Sequence, residues 1–352
     1  MNAITAPLRE LAEFEEGQAL LKKPEACVGF TGCVDSQKLH MAYGLSDGFR
    51  YKIIVTFSDL KAREIFEDYQ FYDREVTWYP AKDLIFYQAD IHGNQLVTER
   101  MKALRKIIEG KPQTVITTFA ALMSPQVPLE EIAASVIHID ADSSLNEGEL
   151  ARKLAEMGYE KNYQVDAPGQ FSIRGGIIDI FDLTEENPYR IELWGEEVES
   201  IRRFDLLSQR SVEKLNEVDI YPATEMMLSE EQKEKGLRRI EKEAKEFEEK
   251  LRSSFLTEEA HRVKTQIKEL REQVLEFSQM TNLESYIRYF YEDTVSFLRF
   301  FPEGESCVFI DEAARVKEQA LAVEMEFRES MGHRLEKGYI LPGQADLLYG
   351  WG

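Results

Sequence analysis

The chain has 352 residues, 43% of them hydrophobic, with 65 acidic against 43 basic residues and a net charge of −22. That length accommodates two or three domains of about 100–200 residues each, and the apolar share is that of a globular protein with real cores. The sequence holds no run of about 18 apolar residues, which excludes a membrane-spanning helix, and the charge repels a phosphate backbone, which disfavours nucleic acid as the primary ligand.

Met1 to Leu21 reads as an opening helix, with Leu8, Leu11, Phe14 and Leu20 set among glutamates. It has no apolar stretch followed by a cleavage site, so no signal peptide is expected and the cytoplasm is the expected compartment. Ala26-Cys27-Val28-Gly29-Phe30 reads as a buried strand, followed by a turn at Thr31-Gly32 and a helix from about Ser36 to Tyr43. Lys52 to Phe57 and Thr114 to Phe119 read as further buried strands. Between them lie a helix capped by Ser58 or Asp59 and another around Thr98 to Ile108. Such alternation predicts a parallel, doubly wound α/β sheet.

The texture changes near Leu129. A strand at Val136 to Asp140 and a helix at Leu145 to Met157, opened by Ser144 or Asn146, precede four strands with period-two alternation. Those strands are Gly169 to Ile173, Ile177 to Phe181, Tyr189 to Trp194 and Glu197 to Phe204. They predict a small α+β domain ending near Tyr221-Pro222. From Ser229 to about Ser278 the chain is charged, has no proline and one glycine, and carries Phe247, Leu251, Phe255, Leu270, Leu275 and Phe277 at helical spacing. Two packed helices are expected there. Cys307-Val308-Phe309-Ile310 reads as one more buried strand, ending in Asp311-Glu312. The predicted organisation is residues 1–128 as the first part of an α/β domain, 129–222 as an inserted α+β domain, and 223–352 as a helical region with the last strand of the first domain.

Three cysteines, Cys27, Cys33 and Cys307, stand in apolar strand-like or turn contexts with no zinc spacing, and five scattered histidines form no ligand pair. No metal site is expected. Gly29-Phe30-Thr31-Gly32-Cys33-Val34-Asp35-Ser36 stands where a phosphate-binding loop, Gly-x-x-x-x-Gly-Lys-Ser/Thr, would lie between strand and helix. The first glycine, Gly29, and the final Ser36 are present. Val34 replaces the second glycine, which lets the backbone curl around phosphates, and Asp35 replaces the lysine. A unit charge facing a like one at about 4 Å, at an effective dielectric of 20, is worth about 4 kcal/mol, so this reversal opposes binding strongly. Lys38, a helical turn further on, is no obvious substitute. Asp311 and Glu312 after their strand have the form of a magnesium-holding pair. Together these residues suggest a degenerate P-loop nucleotide site, RecA-like in fold; on the motifs alone, an ordinary turn in another α/β sheet remains the alternative.

Gly169 to Phe181, Tyr189 to Trp194 and Glu197 to Asp205 closely resemble the UvrA-binding domain shared by UvrB and the bacterial transcription-repair coupling factor. Ser208-Gln209-Arg210-Ser211, leading to Ile220-Tyr221-Pro222-Ala223, resembles the coupling factor specifically. The resemblance extends more weakly from Gly29 to the last strand. UvrB differs in having a working phosphate loop and a long aromatic DNA-gripping β-hairpin, for which the short stretch Tyr87 to Arg100 leaves no room. The resemblance implies a UvrB-like first domain, and Val34 and Asp35 imply no nucleotide cofactor or catalysis in this chain. The resemblance also implies UvrA as partner, and contacts with RNA polymerase and DNA through domains outside this sequence, where the family's ATP-dependent translocase would lie. A UvrB-type ATP-dependent helicase subunit is the alternative.

Strand alternation places Arg190, Glu192 and Trp194 on one face of their strand, opposite Tyr189, Ile191 and Leu193, and sets Ser172 and Arg174 opposite Phe171 and Ile173. Arginine and tryptophan are enriched at interface hot spots. Spacing alone favours the plainer reading, an Arg190–Glu192 surface ion pair with Trp194 covering a sheet edge. The resemblance implies that Arg174, Arg190 and Trp194 match positions involved in binding UvrA, with Trp194 where relatives often have phenylalanine.

Overall fold

A computed structural model describes residues 4–23, 26–82, 93–275 and 283–351. Helix α1 (Ala12–Leu21) and helix α2 (Asp35–Leu45) precede strand β1 (Tyr51–Thr56), helix α3 (Asp59–Tyr69), strand β2 (Val76–Tyr79), helix α4 (Gly93–Ile108), strand β3 (Gln113–Thr118) and the short helices α5 (Phe119–Leu122) and α6 (Leu129–Ala134). Ser58 caps α3 by accepting from the Lys61 amide. In β1, Ile53 and Val55 enter one apolar cluster with Met101, Leu104 and Ile107 of α4, while Ile54 enters another with Ala62, Ile65 and Tyr69 of α3. Helices thus cover both faces, so every residue of β3 is buried, its Gln113 and threonines included, and in β1 only Lys52 is not fully buried.

Strand β4 (Ile137–Asp140), helix α7 (Glu147–Glu156), strands β5 (Glu160–Lys161), β6 (Gln170–Arg174), β7 (Ile177–Phe181), β8 (Tyr189–Trp194), β9 (Glu197–Phe204), β10 (Ser211–Leu215) and β11 (Glu217–Ile220) follow. Six of them form one sheet in the order β10-β9-β8-β7-β6-β5, and β11 pairs with β4. Asn146 caps α7 through the amides of Gly148 and Glu149. Leu150 and Leu154 of α7 press on Phe171, Ile178, Tyr189, Ile191 and Ile201, closing one face of the sheet.

Helices α8 (Glu230–Ser253) and α9 (Thr257–Leu275) pack together, followed by the short α10 (Ile287–Phe290), strand β12 (Ser306–Ile310) and helix α11 (Ala313–Glu336). Strand β12 pairs in parallel with β1, giving a four-stranded sheet in the order β12-β1-β3-β2. Leu237, Ile240, Ala244 and Leu251 of α8 meet Ala260, Val263, Ile267, Leu270 and Val274 of α9 in the main core. The single glycine of the charged stretch, Gly236, lies against the ring of Phe290, where a Cβ would collide.

Several expectations are corrected. Residues 26–30 form no strand, and Cys27 and Phe30 are exposed. An apolar run becomes a strand only by pairing, and this one is hydrogen-bonded into no sheet among the described residues. Strand β12 forms but is an edge strand rather than a buried one, with Val308 and Ile310 about half exposed. Phe255 and Leu275 face solvent instead of joining the helix packing, and Phe277 lies outside the described residues. The opening segment is a short 3-10 turn, Ala6–Glu10, and α1 rather than one helix. Of the short loop expected over Tyr87 to Arg100, residues 87–92 lie outside the described residues, and the rest is not loop but the start of α4, which is already formed at Gly93.

Candidate protein-docking site

The face of the six-stranded sheet away from α7 carries the polar residues. The ladder pairs Ser172 with Asp179, Asp179 with Arg190, and Arg190 with Arg202, forming a row across four strands; Arg174 opposes Ile177 one step along. Alternation in β8 is as expected: Tyr189, Ile191 and Leu193 are buried, and Trp194 is 78% exposed.

Asp179 organises this face. Its carboxylate is wholly buried and accepts from Arg190 Nε at 2.6 Å, Arg190 Nη2 at 2.8 Å and Arg174 Nη2 at 3.2 Å. A buried carboxylate needs such partners, because an unpaired charge there costs several kcal/mol. The bond to Asp179 also holds the Arg190 pKa above its ordinary value. Arg190 stacks over the Phe204 ring at 4.2 Å and Arg174 faces Tyr163 at 5.4 Å. Two guanidiniums, Arg174 and Arg190, thus share the single Asp179 carboxylate. The sequence-predicted Arg174, Arg190 and Trp194 therefore share one face. The arginines are not free arms, however: the Arg190 side chain is only 14% exposed. Nor does Arg190 pair with Glu192, which instead accepts from Arg202 and from Ser200 Oγ. Sequence reasoning missed Asp179. Its signal was an aspartate inside an apolar strand, in phase with the arginines of both neighbouring strands.

The nucleotide-site candidates lie elsewhere. Gly29, Val34 and Ser36 are exposed, Val34 immediately preceding α2, and the Asp35 side chain is not among those described. Across from them Asp311 and Glu312 are occupied by the chain itself. Lys38 Nζ lies 3.2 Å from Asp311 Oδ1 and 3.2 Å from Glu312 Oε1, Thr56 Oγ1 donates to Asp311 Oδ2 at 3.1 Å, and Arg315 binds Glu312. Glu312 has a left-handed backbone, φ +55°, at the entry to α11. Lys38, set aside in the sequence, is the residue that fills this corner.

Comparison with known proteins bears on the first site. The UvrB interaction domain family matches residues 137–226. A transcription-repair-coupling factor of Bacillus subtilis is 34% identical over 269 residues, 76% of this chain and 22% of that protein. One from Staphylococcus aureus strain Mu50 is 27% identical over 356 residues, 99% of this chain and 30% of that protein. The chain belongs to the transcription-repair coupling factor family. It spans less than a third of these relatives' length. Arg174, Asp179, Arg190, Trp194 and Gln209 all fall within the residues matched by the UvrB interaction domain, whereas Lys38, Asp311 and Glu312 fall outside them. Among the described residues, no helix is long and apolar enough to cross a membrane.

Proposed function

We propose that this chain is a non-catalytic adaptor region that docks UvrA, so that the longer protein can bring nucleotide excision repair to a stalled RNA polymerase. The observation that carries the reading is the exposed Trp194 on the same polar sheet face as two arginines fixed by Asp179. An aromatic anchor beside oriented arginines is the composition of an interface hot spot, and it suits an acidic, partly apolar patch on the partner. Polymerase and DNA contacts belong, in this reading, to parts of the protein outside this sequence, as does the ATP-driven motor.

The degenerate-loop reading fits the same picture. Val34 and Asp35 oppose phosphate, and Lys38 occupies the acids that a magnesium–nucleotide complex would need. The chain therefore needs no nucleotide cofactor for docking. Co-elution with UvrA in size-exclusion chromatography tests the proposal: a joint peak for the parent and its loss in Trp194→Ala support it. Separate elution of the parent, with ATP retained by the chain in equilibrium dialysis, would favour a UvrB-type ATPase subunit instead.

A further inference from the structure

The Ser208-Gln209-Arg210-Ser211 run forms the end of the turn between β9 and β10, and it is built in an unusual way. The Asp205 amide donates to the Arg210 carbonyl at 2.9 Å, the Gln209 amide to the Asp205 carbonyl at 2.8 Å, and the Ser208 amide to Asp205 Oδ1 at 2.8 Å. Gln209 has φ +57°, a left-handed conformation in which glycine or asparagine would be cheaper. Its side chain gives the reason for glutamine: Oε1 accepts from Arg190 Nη2 at 2.9 Å, and Nε2 donates to the Leu206 carbonyl at 2.8 Å. The turn is thereby drawn over the polar face. Leu206 packs on the small cluster of Val165, Phe181 and Phe204, on whose Phe204 ring Arg190 stacks. Leu207, next in line, is 94% exposed.

Asp179 and Gln209 together engage the Nε and Nη2 atoms of Arg190, and Nη1 has no hydrogen bond to any described residue. The guanidinium is thus held in one orientation with one nitrogen to spare. A fork fixed in advance loses less entropy when it meets a carboxylate. The turn is continuous with the docking face because Gln209 and Arg190 share a hydrogen bond.

We propose that the turn Asp205–Arg210 is a contact element of that docking face, with Gln209 a positioning residue for Arg190 and Leu207 an apolar contact to the same partner. This rests on the UvrA-docking reading, and the partner surface it fits pairs a carboxylate with an apolar spot.

Calorimetric titration of UvrA tests it with Leu207→Ser, Gln209→Asn and Arg190→Ala, alongside the Gln209→Asn, Arg190→Ala double variant and thermal melts of each. Asparagine tolerates the left-handed backbone but is one methylene too short to reach Arg190. The expected result is a loss of about tenfold in affinity for Leu207→Ser and for Gln209→Asn with no fall in melting temperature. The Gln209→Asn loss should vanish in the Arg190→Ala background, which a merely structural role would not produce. Parent-like binding by both single variants, or a Gln209→Asn loss that persists undiminished without Arg190, overturns the inference while leaving UvrA docking intact. No binding by the parent overturns the docking reading and this inference with it.

Discussion

Lys38 Nζ donates to Asp311 Oδ1 at 3.2 Å, tying helix α2 to the end of strand β12 across 273 residues of sequence. The same ammonium reaches Glu312. Burial opposes the charge on Lys38, but hydrogen bonds to Glu312 and Asp311 outweigh it and leave the lysine pKa above its ordinary value.

Removing this cation should weaken the link between α2 and β12. Lys38→Met is expected to cost about 1 kcal/mol in urea unfolding, the upper end for a partly exposed ion pair. The pH dependence has a definite sign. Arg315 and then Lys38 hold the Glu312 carboxyl below the ordinary 4.5, so its contribution is present above that pH and is lost as pH falls below it. Acid unfolding of the variant should therefore be less steep than that of the parent. Identical acid titrations would show that the corner adds nothing to stability.

A deeper ion pair joins α4 to the segment after β11. Arg100 is almost completely buried and grips Glu225 through Nε at 2.6 Å and Nη2 at 2.9 Å, with Lys82 3.2 Å from the same carboxylate. Burial alone would raise the Glu225 pKa, but Arg100 and Lys82 reverse this and hold it well below the usual glutamate range. Glu225→Gln leaves Arg100 without its counter-charge and should cost about 3–5 kcal/mol. Differential scanning calorimetry at pH 7 checks it, and a shift of under a degree would contradict the assignment.

The two docking arginines should separate in stability. Arg190→Ala removes the bidentate partner of buried Asp179 and is expected to destabilise by about 3 kcal/mol. Arg174→Ala leaves that fork in place and should cost under about 1 kcal/mol. Equal melting temperatures for the two variants would argue against Asp179 as the organiser of the face.

Trp194 makes the opposite prediction. At 78% exposure it contributes little to the core, so Trp194→Ala should change stability by less than about 0.5 kcal/mol. Its loss of UvrA affinity should reach about 2 kcal/mol, a hot-spot magnitude. Chemical unfolding and titration of one variant preparation measure both.

What the sequence reveals follows from how local each determinant is. Strands β1 and β3 are legible from the consecutive apolar residues Ile53-Ile54-Val55 and Val115-Ile116 that two covered faces call for, and β8 because one covered face imposes strict alternation. Ser58 and Asn146 announce their helices through caps. Ala26 to Phe30 is as apolar as a strand yet forms none, since composition does not say whether a partner edge is available. Val76–Tyr79 is too short to declare itself, although all four of its residues are buried. Part of the site is legible too: Arg174, Arg190 and Trp194 follow from alternation and resemblance. The groups that orient or occupy a site are the ones missed. Asp179 needs the register of three strands to be recognised, Gln209 reaches 19 residues back to Arg190, and Lys38 meets acids from the far end of the chain.

Calorimetric titration of UvrA into this chain, beside an Arg174→Ala, Trp194→Ala double variant, tests docking most directly because neither substitution removes the Arg190–Asp179 fork. The account predicts micromolar or tighter binding by the parent, and its loss in a double variant that melts like the parent. Undiminished affinity in that variant, or no heat of binding with the parent, would contradict it.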